Sequence, residues 1–189
     1  MKPFHYQFND QIYIASLDQA DPLAVLDFFK RTDQLFYELT PERSEHFYTE
    51  QYWHFEVEMA IHHFEKQKKA SFVIAYKDDN DKEIVVGWVN YNNVIHGAFK
   101  ACYLGYVLDE PFHGKNIMYT ALSVTIPYVM DAFHLNRIMA NYIPENKPSE
   151  RVLLRLGFEK EGYAKRYLKL GGKWRDHVMT AFINRGVLK

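Results

Sequence analysis

The sequence contains a single cysteine, Cys102, among its 189 residues. One thiol cannot form an intrachain disulfide or provide a cysteine-rich metal site. No apolar run reaches the roughly 18 residues that suggest a membrane helix, and no low-complexity tract or flexible linker divides the chain. We therefore expect a cytoplasmic protein without a membrane partner, folded as one domain over residues 1–189.

The chain also has no large excess of positive or negative charge. Lysine and arginine number 23 against 24 for aspartate and glutamate, which gives a net charge of -1. Because the chain lacks a global positive field, we expect no strong non-specific binding to nucleic acid. Hydrophobic residues are abundant at 48% and aromatic residues at 16%, which is enough to build a substantial core.

The hydrophobic pattern alternates between the periods of strands and helices. It predicts strands at 11–15, 71–77, 83–95, 101–109 and 136–143 and a terminal hairpin over 158–183. It predicts helices after the cap Asp21 and Pro22, from about Ser44 to Lys69, from Gly114 to about His134 with a kink or early end at Pro127, and from Asn146 to Gly157. This order predicts an α/β fold with a mixed, mostly antiparallel central sheet flanked by helices.

One segment, from Tyr103 to Tyr119, passes from a strand through a polar turn into a helix. The free N–H groups and positive dipole end of such a helix favour a phosphate or pyrophosphate, and Lys115 adds a cation. The pair Gly114 and Lys115 is also typical of an ordinary helix start. It does not form a Walker loop, because Asn116 stands where that motif has serine or threonine.

Gly105 lies inside the strand that precedes this turn. A glycine there indicates either a bulge or close packing against a large aromatic side chain. A bulge would free the backbone N–H groups of Tyr106 to Leu108 to bind an extended ligand or to polarise a carbonyl group.

Three segments together resemble the GNAT N-acetyltransferases, in the RimJ/RimL branch that acetylates the amino termini of ribosomal proteins. They are HGKNIM at 113–118, NYIPENKPSERVLLRLGFEKEGY at 141–163 and GGKWRDHVMTA at 171–181. The resemblance spans about residues 70–182 and is strongest to the members that act on alanine. It implies the GNAT fold, acetyl-CoA as co-substrate, no metal, and direct attack of an amine on the thioester.

The resemblance also implies which residues bind acetyl-CoA. The pyrophosphate loop and the helix start after it correspond to His113, Gly114, Lys115, Asn116, Ile117, Met118 and Tyr119. Here His113 replaces the usual glutamine or arginine, and Asn116 replaces the first glycine of the motif. The strand that binds pantetheine corresponds to Tyr106, Val107 and Leu108, and a second contact corresponds to Asn146 and Ser149.

The usual catalytic groups of the family are not at their expected positions. Leu153 stands where many members have a tyrosine acid. The resemblance then implies Ser149 as the acid, although a helix-cap or cofactor contact explains this serine equally well. The positions of the known carboxylate bases hold Tyr103 and Leu168, which leaves Glu50, Glu56, Glu58 and Asp109 as alternatives.

The acceptor implied by the resemblance is the α-amine of an amino-terminal alanine in a small-subunit ribosomal protein, with association with the ribosome as a further expectation. At pH 7 roughly a tenth of α-amines but under about a thousandth of lysine amines are neutral, so a weak base favours the α-amine. The segment DQLFYELTPERSEHFY at 33–48 is expected to shape the acceptor pocket. The alternatives are a small amine, such as a polyamine or antibiotic, and a non-catalytic ribosome-assembly factor.

Two further features carry weaker functional hypotheses. His54, Glu58 and His62 share one face of the predicted second helix, which is typical of a metal site but more often of a solvated face. Cys102 lies on a strand beside the predicted site, and we interpret it as a core residue.

Overall fold

The computed structural model describes residues 3–78, 80 and 82–186. The single domain was expected over residues 1–189. This range includes residues 1, 2, 79, 81 and 187–189, which lie outside the described residues. The described strands form one sheet in the order β1-β2-β3-β4-β5-β6-β8-β7. They are β1 (His5–Gln7), β2 (Ile12–Ser16), β3 (Ala70–Lys77), β4 (Glu83–Ile95), β5 (Ala101–Leu108), β6 (Arg137–Met139), β7 (Glu159–Leu170) and β8 (Lys173–Ile183).

Among the described residues, four α-helices cover the two faces of this sheet. They are α1 (Pro22–Phe36), α2 (Glu50–Glu65), α3 (Ile117–Ala132) and α4 (Lys147–Leu156). Neighbouring strands pair antiparallel everywhere except between β5 and β6, which are parallel. The prediction of a mixed, mostly antiparallel sheet flanked by helices is confirmed.

The helices on one face, α1 and α2, pack around a cluster of aromatic side chains. The Asp21 carboxylate accepts from the Leu23 N–H at 2.9 Å and begins α1, as predicted. Trp53 of α2 is 2% exposed and stacks on Phe29 with the ring centroids 4.9 Å apart. Burial of such large rings stabilises this layer by about 2 to 3 kcal/mol per side chain.

The opposite face of the sheet is covered by α3 and α4. The apolar residues of α3 pack into the main core, and Ala121, Leu122 and Val129 are fully buried. The helix runs through Pro127 to Ala132 without a break, so the predicted early end is wrong. Tertiary packing on the sheet outweighs the cost of one missing backbone hydrogen bond.

Several predicted boundaries were also wrong. The pattern from 44 to 69 divides into a 3-10 turn (Glu45–Tyr48) and α2, because the Thr49 side chain accepts from the Tyr52 N–H and begins a new helix. The third helix begins at Ile117 rather than at Gly114. The strand predicted over 136–143 ends at Met139, and the first short strand, β1, was not predicted.

A cleft opens in the sheet where β5 and β6 separate. These two strands pair only from Ala101 opposite Arg137 to Tyr103 opposite Met139. Beyond that point β6 ends, whereas β5 continues to Leu108. Cys102 is fully buried in the core at the closed end, as we interpreted it. No helix among the described residues is both long and apolar enough to cross a membrane.

Candidate active site

The cleft edge of β5 presents alternate backbone groups. Asp109 donates its N–H to the Val86 carbonyl at 2.8 Å, which fixes the alternation of hydrogen bonds between β4 and β5. Because hydrogen-bonded pairs alternate in an antiparallel ladder, Gly105 and Val107 bond to β4. The N–H and C=O groups of Tyr106 and Leu108 therefore point into the cleft.

Gly105 lies neither in a bulge nor against a large aromatic side chain, which are the two explanations that its position in the sequence suggested. Gly105 pairs regularly with Asn90, and the irregularity between these strands lies between Asn92 and Ile95. A Cβ atom added at Gly105 would meet no heavy atom within 4 Å, so the glycine does not pack against an aromatic ring. Separation of two strands, rather than a bulge, frees the backbone groups of the cleft.

A short hydrogen bond joins the two sides of this cleft. The Tyr106 hydroxyl lies 2.7 Å from the Ser149 hydroxyl, and the Asn146 side chain accepts from the Ser149 N–H at 3.1 Å to begin α4. Burial raises the pKa of Tyr106, so its phenol stays protonated. When this phenol donates to Ser149, the proton of Ser149 is free to be donated elsewhere.

The first turn of α3 has the geometry of an anion site. Asn116 precedes the helix in the left-handed conformation with φ 60°, and Gly114 has φ 72°. No side chain caps α3, so the N–H groups of its first turn keep their donor capacity. The predicted phosphate loop is therefore a tight turn that ends at an uncapped helix.

Two side-chain contacts connect this loop to the elements around it. His113 Nε2 contacts the cleft-side carbonyl of Leu108 at 2.7 Å. Arg155 of α4 donates to Asn116 Oδ1 at 2.6 Å, and its guanidinium lies 3.8 Å from the centroid of the Tyr119 ring. Sequence reasoning missed Arg155, because nothing in the sequence of α4 shows that it reaches a loop 39 residues away.

The structure gives contacts for three of the positions considered for the acid and the base. Leu153, which stands at the position of the family tyrosine, is 1% exposed in the core and provides no hydroxyl group. Asp109 is bound to Arg31 at 3.1 Å and Glu56 to Lys69 at 2.6 Å, which occupies both carboxylates. Among the described residues, no group of three or more histidine, cysteine or acidic side chains is placed to hold a metal.

Polar side chains gather on the α1 and α2 side of the cleft. Asn141 donates to the Tyr167 hydroxyl at 3.3 Å, and burial, together with the neighbouring Tyr103 hydroxyl, raises the pKa of Tyr167 to about 12. The ring of His177 lies 5.3 Å from that of Tyr167. The sequence placed these residues on separate strands and gave no sign that they meet.

The turn of the β7 and β8 hairpin contacts the connection between α1 and α2. Gly171 donates its N–H to the Thr40 carbonyl at 3.3 Å, and Arg175 lies 3.9 Å from the Glu38 carboxylate. A segment expected to shape the acceptor pocket therefore lies against the hairpin that carries Tyr167 and His177.

This fold and cleft define an acetyltransferase of the GNAT family, to which the chain belongs. Residues 18–159 match the family described as "Acetyltransferase (GNAT) domain". Over 173 residues the chain is 41% identical to the [Ribosomal protein uS5]-alanine N-acetyltransferase of Escherichia coli (strain K12), covering 92% of this chain and 88% of that protein.

Solved structures give the same result. Ribosomal-protein-S5-alanine acetyltransferase from Vibrio fischeri superposes with a TM-score of 0.88 at 33% identity, covering 97% of this chain and 98% of that one. Mycobacterium smegmatis RimJ in complex with CoA-disulfide gives a TM-score of 0.78 at 25% identity, covering 94% and 84% of the two chains. The resemblance found in the sequence is confirmed.

Proposed function

We propose that this enzyme transfers an acetyl group from acetyl-CoA to the α-amine of an amino-terminal alanine in a small-subunit ribosomal protein. The observation that carries the proposal is the continuous cleft from the uncapped first turn of α3, along the free edge of β5, to the paired hydroxyls of Tyr106 and Ser149. The similarity to uS5-alanine acetyltransferases over 92% of the chain supports the choice of acceptor. The proposed reaction takes place in the cytoplasm, and residues 1–189 form one acetyltransferase domain.

The described residues fit acetyl-CoA along this cleft. The loop from His113 to Asn116 and the N–H groups of Ile117, Met118 and Tyr119 would hold the pyrophosphate, with Lys115 as the cation. The backbone groups of Tyr106 and Leu108 would hold the pantetheine amides. Val107 bonds within the sheet, so it offers the cofactor no backbone group on this edge.

Residues at the start of α4 would carry out the chemistry at the thioester. Acetyl-CoA supplies an acyl group whose transfer releases a thiolate. Ser149 would donate its proton there, because Asn146 fixes its backbone and the Tyr106 phenol can donate to its oxygen. The phenol of Tyr106 thereby replaces the tyrosine that Leu153 excludes, acting through Ser149.

Mass spectrometry after incubation with acetyl-CoA tests the proposed function. The substrates are purified small-subunit ribosomal proteins, alanine-initiated peptides, the same peptides with a blocked amino terminus, and a panel of polyamines and antibiotics. Acetylation of an amino-terminal alanine, absent from the blocked peptides, supports the proposal. Acetylation of small amines alone assigns a small-molecule enzyme, and cofactor binding without transfer to any substrate favours a binding factor.

A further inference from the structure

The proposed reaction needs a proton acceptor for the amine, and one face of the sheet beside the cleft carries a candidate. Side chains alternate along β8, so His177 and Ala181 point to the same face. Ala181 packs with Ala101, Met139 and the partly buried Tyr103. His177 therefore lies on the face of Tyr103, opposite the face that holds Ser149.

The imidazole of His177 is held in one neutral form. It is 2% exposed, and Nδ1 lies 3.1 Å from the Arg175 carbonyl. Because a carbonyl only accepts, Nδ1 carries a proton, and in the neutral ring Nε2 therefore carries the lone pair. Within the described part of the chain, no other hydrogen bond to this ring is formed, so the lone pair of Nε2 is available.

The surroundings favour the neutral ring. Burial, foremost, and the adjacent Arg175 charge lower the pKa of His177, although its bond to the Arg175 carbonyl and the neighbouring Asp176 act in the opposite direction. Tyr167 of β7 lies beside the ring, and because its own pKa is raised it is an uncharged phenol at neutral pH. Tyr103 of β5 lies on the same face of the sheet.

Two carboxylates on this side of the cleft lie near the Arg175 guanidinium. Glu38 and Glu145 lie 3.9 Å and 3.4 Å from Arg175, and both are about 70% exposed. Tyr167 connects His177 to the cleft, because its ring lies beside the imidazole and its hydroxyl accepts from Asn141 just beyond β6. His177 therefore offers a buried lone pair that is linked to the acceptor side of the cleft through Tyr167.

We propose that His177 accepts the proton of the acceptor ammonium through one bridging water, an inference that rests on the proposed function. The proton leaves the amine nitrogen for Nε2, and the freed lone pair forms the new bond between nitrogen and the acyl carbon. The bond between that carbon and sulfur breaks, and the second amine proton reaches the thiolate through Ser149. His177 then returns its proton to solvent.

The pH dependence of His177→Asn tests this role, because the asparagine amide still donates to the Arg175 carbonyl but lacks the basic nitrogen. With an alanine-initiated peptide, we expect kcat/KM to fall about tenfold or more at pH 6.5 and to approach the wild-type value at pH 9, where most α-amines are already neutral. Acetyl-CoA affinity should stay within about twofold of the wild-type value. His96→Asn, which alters an exposed histidine whose ring also contacts a backbone carbonyl, is the matched control and should leave the profile unchanged.

Three outcomes decide against the proposal. A loss of rate by the same factor at every pH indicates a structural role, and an unchanged rate at pH 6.5 removes His177 from the reaction. Nitrogen NMR of the wild-type protein tests the tautomer without any variant, and a proton on Nε2 at pH 7.5 overturns the proposal. If the wild-type enzyme acetylates no amine, the proposed function itself fails, which this assay separates from a failure of His177.

Discussion

The hydroxyl groups of Tyr106 and Ser149 lie 2.7 Å apart and connect strand β5 to the start of α4. Tyr106 belongs to the strand edge that would bind pantetheine, and Ser149 belongs to the helix that Asn146 begins. One contact therefore joins the proposed cofactor strand to the proposed acid. In the proposed mechanism, this pair takes the place of the family tyrosine, whose position holds leucine.

Ser149→Ala should lower kcat about 100-fold, because general acids contribute roughly that factor, and should leave acetyl-CoA affinity within a few-fold. Tyr106→Phe should lower kcat about fivefold, since it removes one hydrogen bond of about 1 kcal/mol and leaves Ser149 in place. Steady-state kinetics and calorimetric titration with acetyl-CoA measure the two effects.

Tyr142→Phe is the matched control for this pair. The Tyr142 hydroxyl donates to Glu150 of the same helix at 3.1 Å, so the variant loses a similar phenol contact one residue away. It should keep the wild-type kcat. Full activity of Ser149→Ala would show that this serine is only a helix or cofactor contact.

The backbone of Asn116 should decide whether acetyl-CoA binds. Proline fixes φ near about -65°, which is incompatible with the observed 60°, so Asn116→Pro should abolish acetyl-CoA binding. Asn116→Gly keeps the left-handed turn and loses only the contact with Arg155, so its affinity should fall about fivefold. Titration calorimetry measures both, and wild-type affinity in the proline variant would contradict the placement of the phosphate loop.

The sequence predicts those features of the fold that depend on a few neighbouring residues. Asp21, Asn146 and Gly157 mark helix ends through their own side chains or backbone angles, and the structure places the ends there. The cleft was not predictable, because it arises from a difference in length between β5 and β6, which pair only across a long separation in sequence. Local patterns do not encode such pairings.

The candidate site also contains some residues that a local sequence signal indicates and others that it does not. The phosphate loop is one continuous segment, so a motif could indicate it. Arg155, Tyr167 and His177 contact residues of other elements, and their spacing in the sequence does not indicate these contacts. The resemblance to the family implied a role for Ser149 and for Tyr106, but it did not indicate that their hydroxyl groups meet.

The tip of the terminal hairpin should control the acceptor rather than the cofactor. Gly171 has φ 52°, and an added Cβ would lie 3.0 Å from the Tyr37 carbonyl oxygen in the connection after α1. Gly171→Ala should therefore raise KM for the peptide acceptor and cost about 2 to 3 kcal/mol of stability, from backbone strain and steric overlap. Acetyl-CoA affinity should not change.

Gly97→Ala separates strain from overlap. Gly97 also has a positive φ of 72°, but its added Cβ would meet nothing within 4 Å. This variant should lose only about 1 kcal/mol and keep the wild-type KM. Equal KM values for the two variants would show that the hairpin contact does not shape the acceptor site.

The acid sensitivity of the protein should depend on Glu150, the residue after the proposed acid. Hydrogen bonds from Lys160, Lys147 and Tyr142 lower the pKa of Glu150 from 4.5 to about 2. A carboxyl whose pKa is lowered by folding stabilises the folded state above its unfolded pKa, and this contribution disappears as the pH falls from about 4.5 towards 2. Urea unfolding should show wild type more stable than Glu150→Gln at pH 6.5, with the gap narrowing as the pH falls from 4.5 to 2.5. Glu159→Gln, which breaks one exposed ion pair with Arg185, should show a smaller gap at pH 6.5. A gap for Glu150→Gln that stays constant between these pH values would mean that the carboxylate charge does not hold the start of α4 against the hairpin.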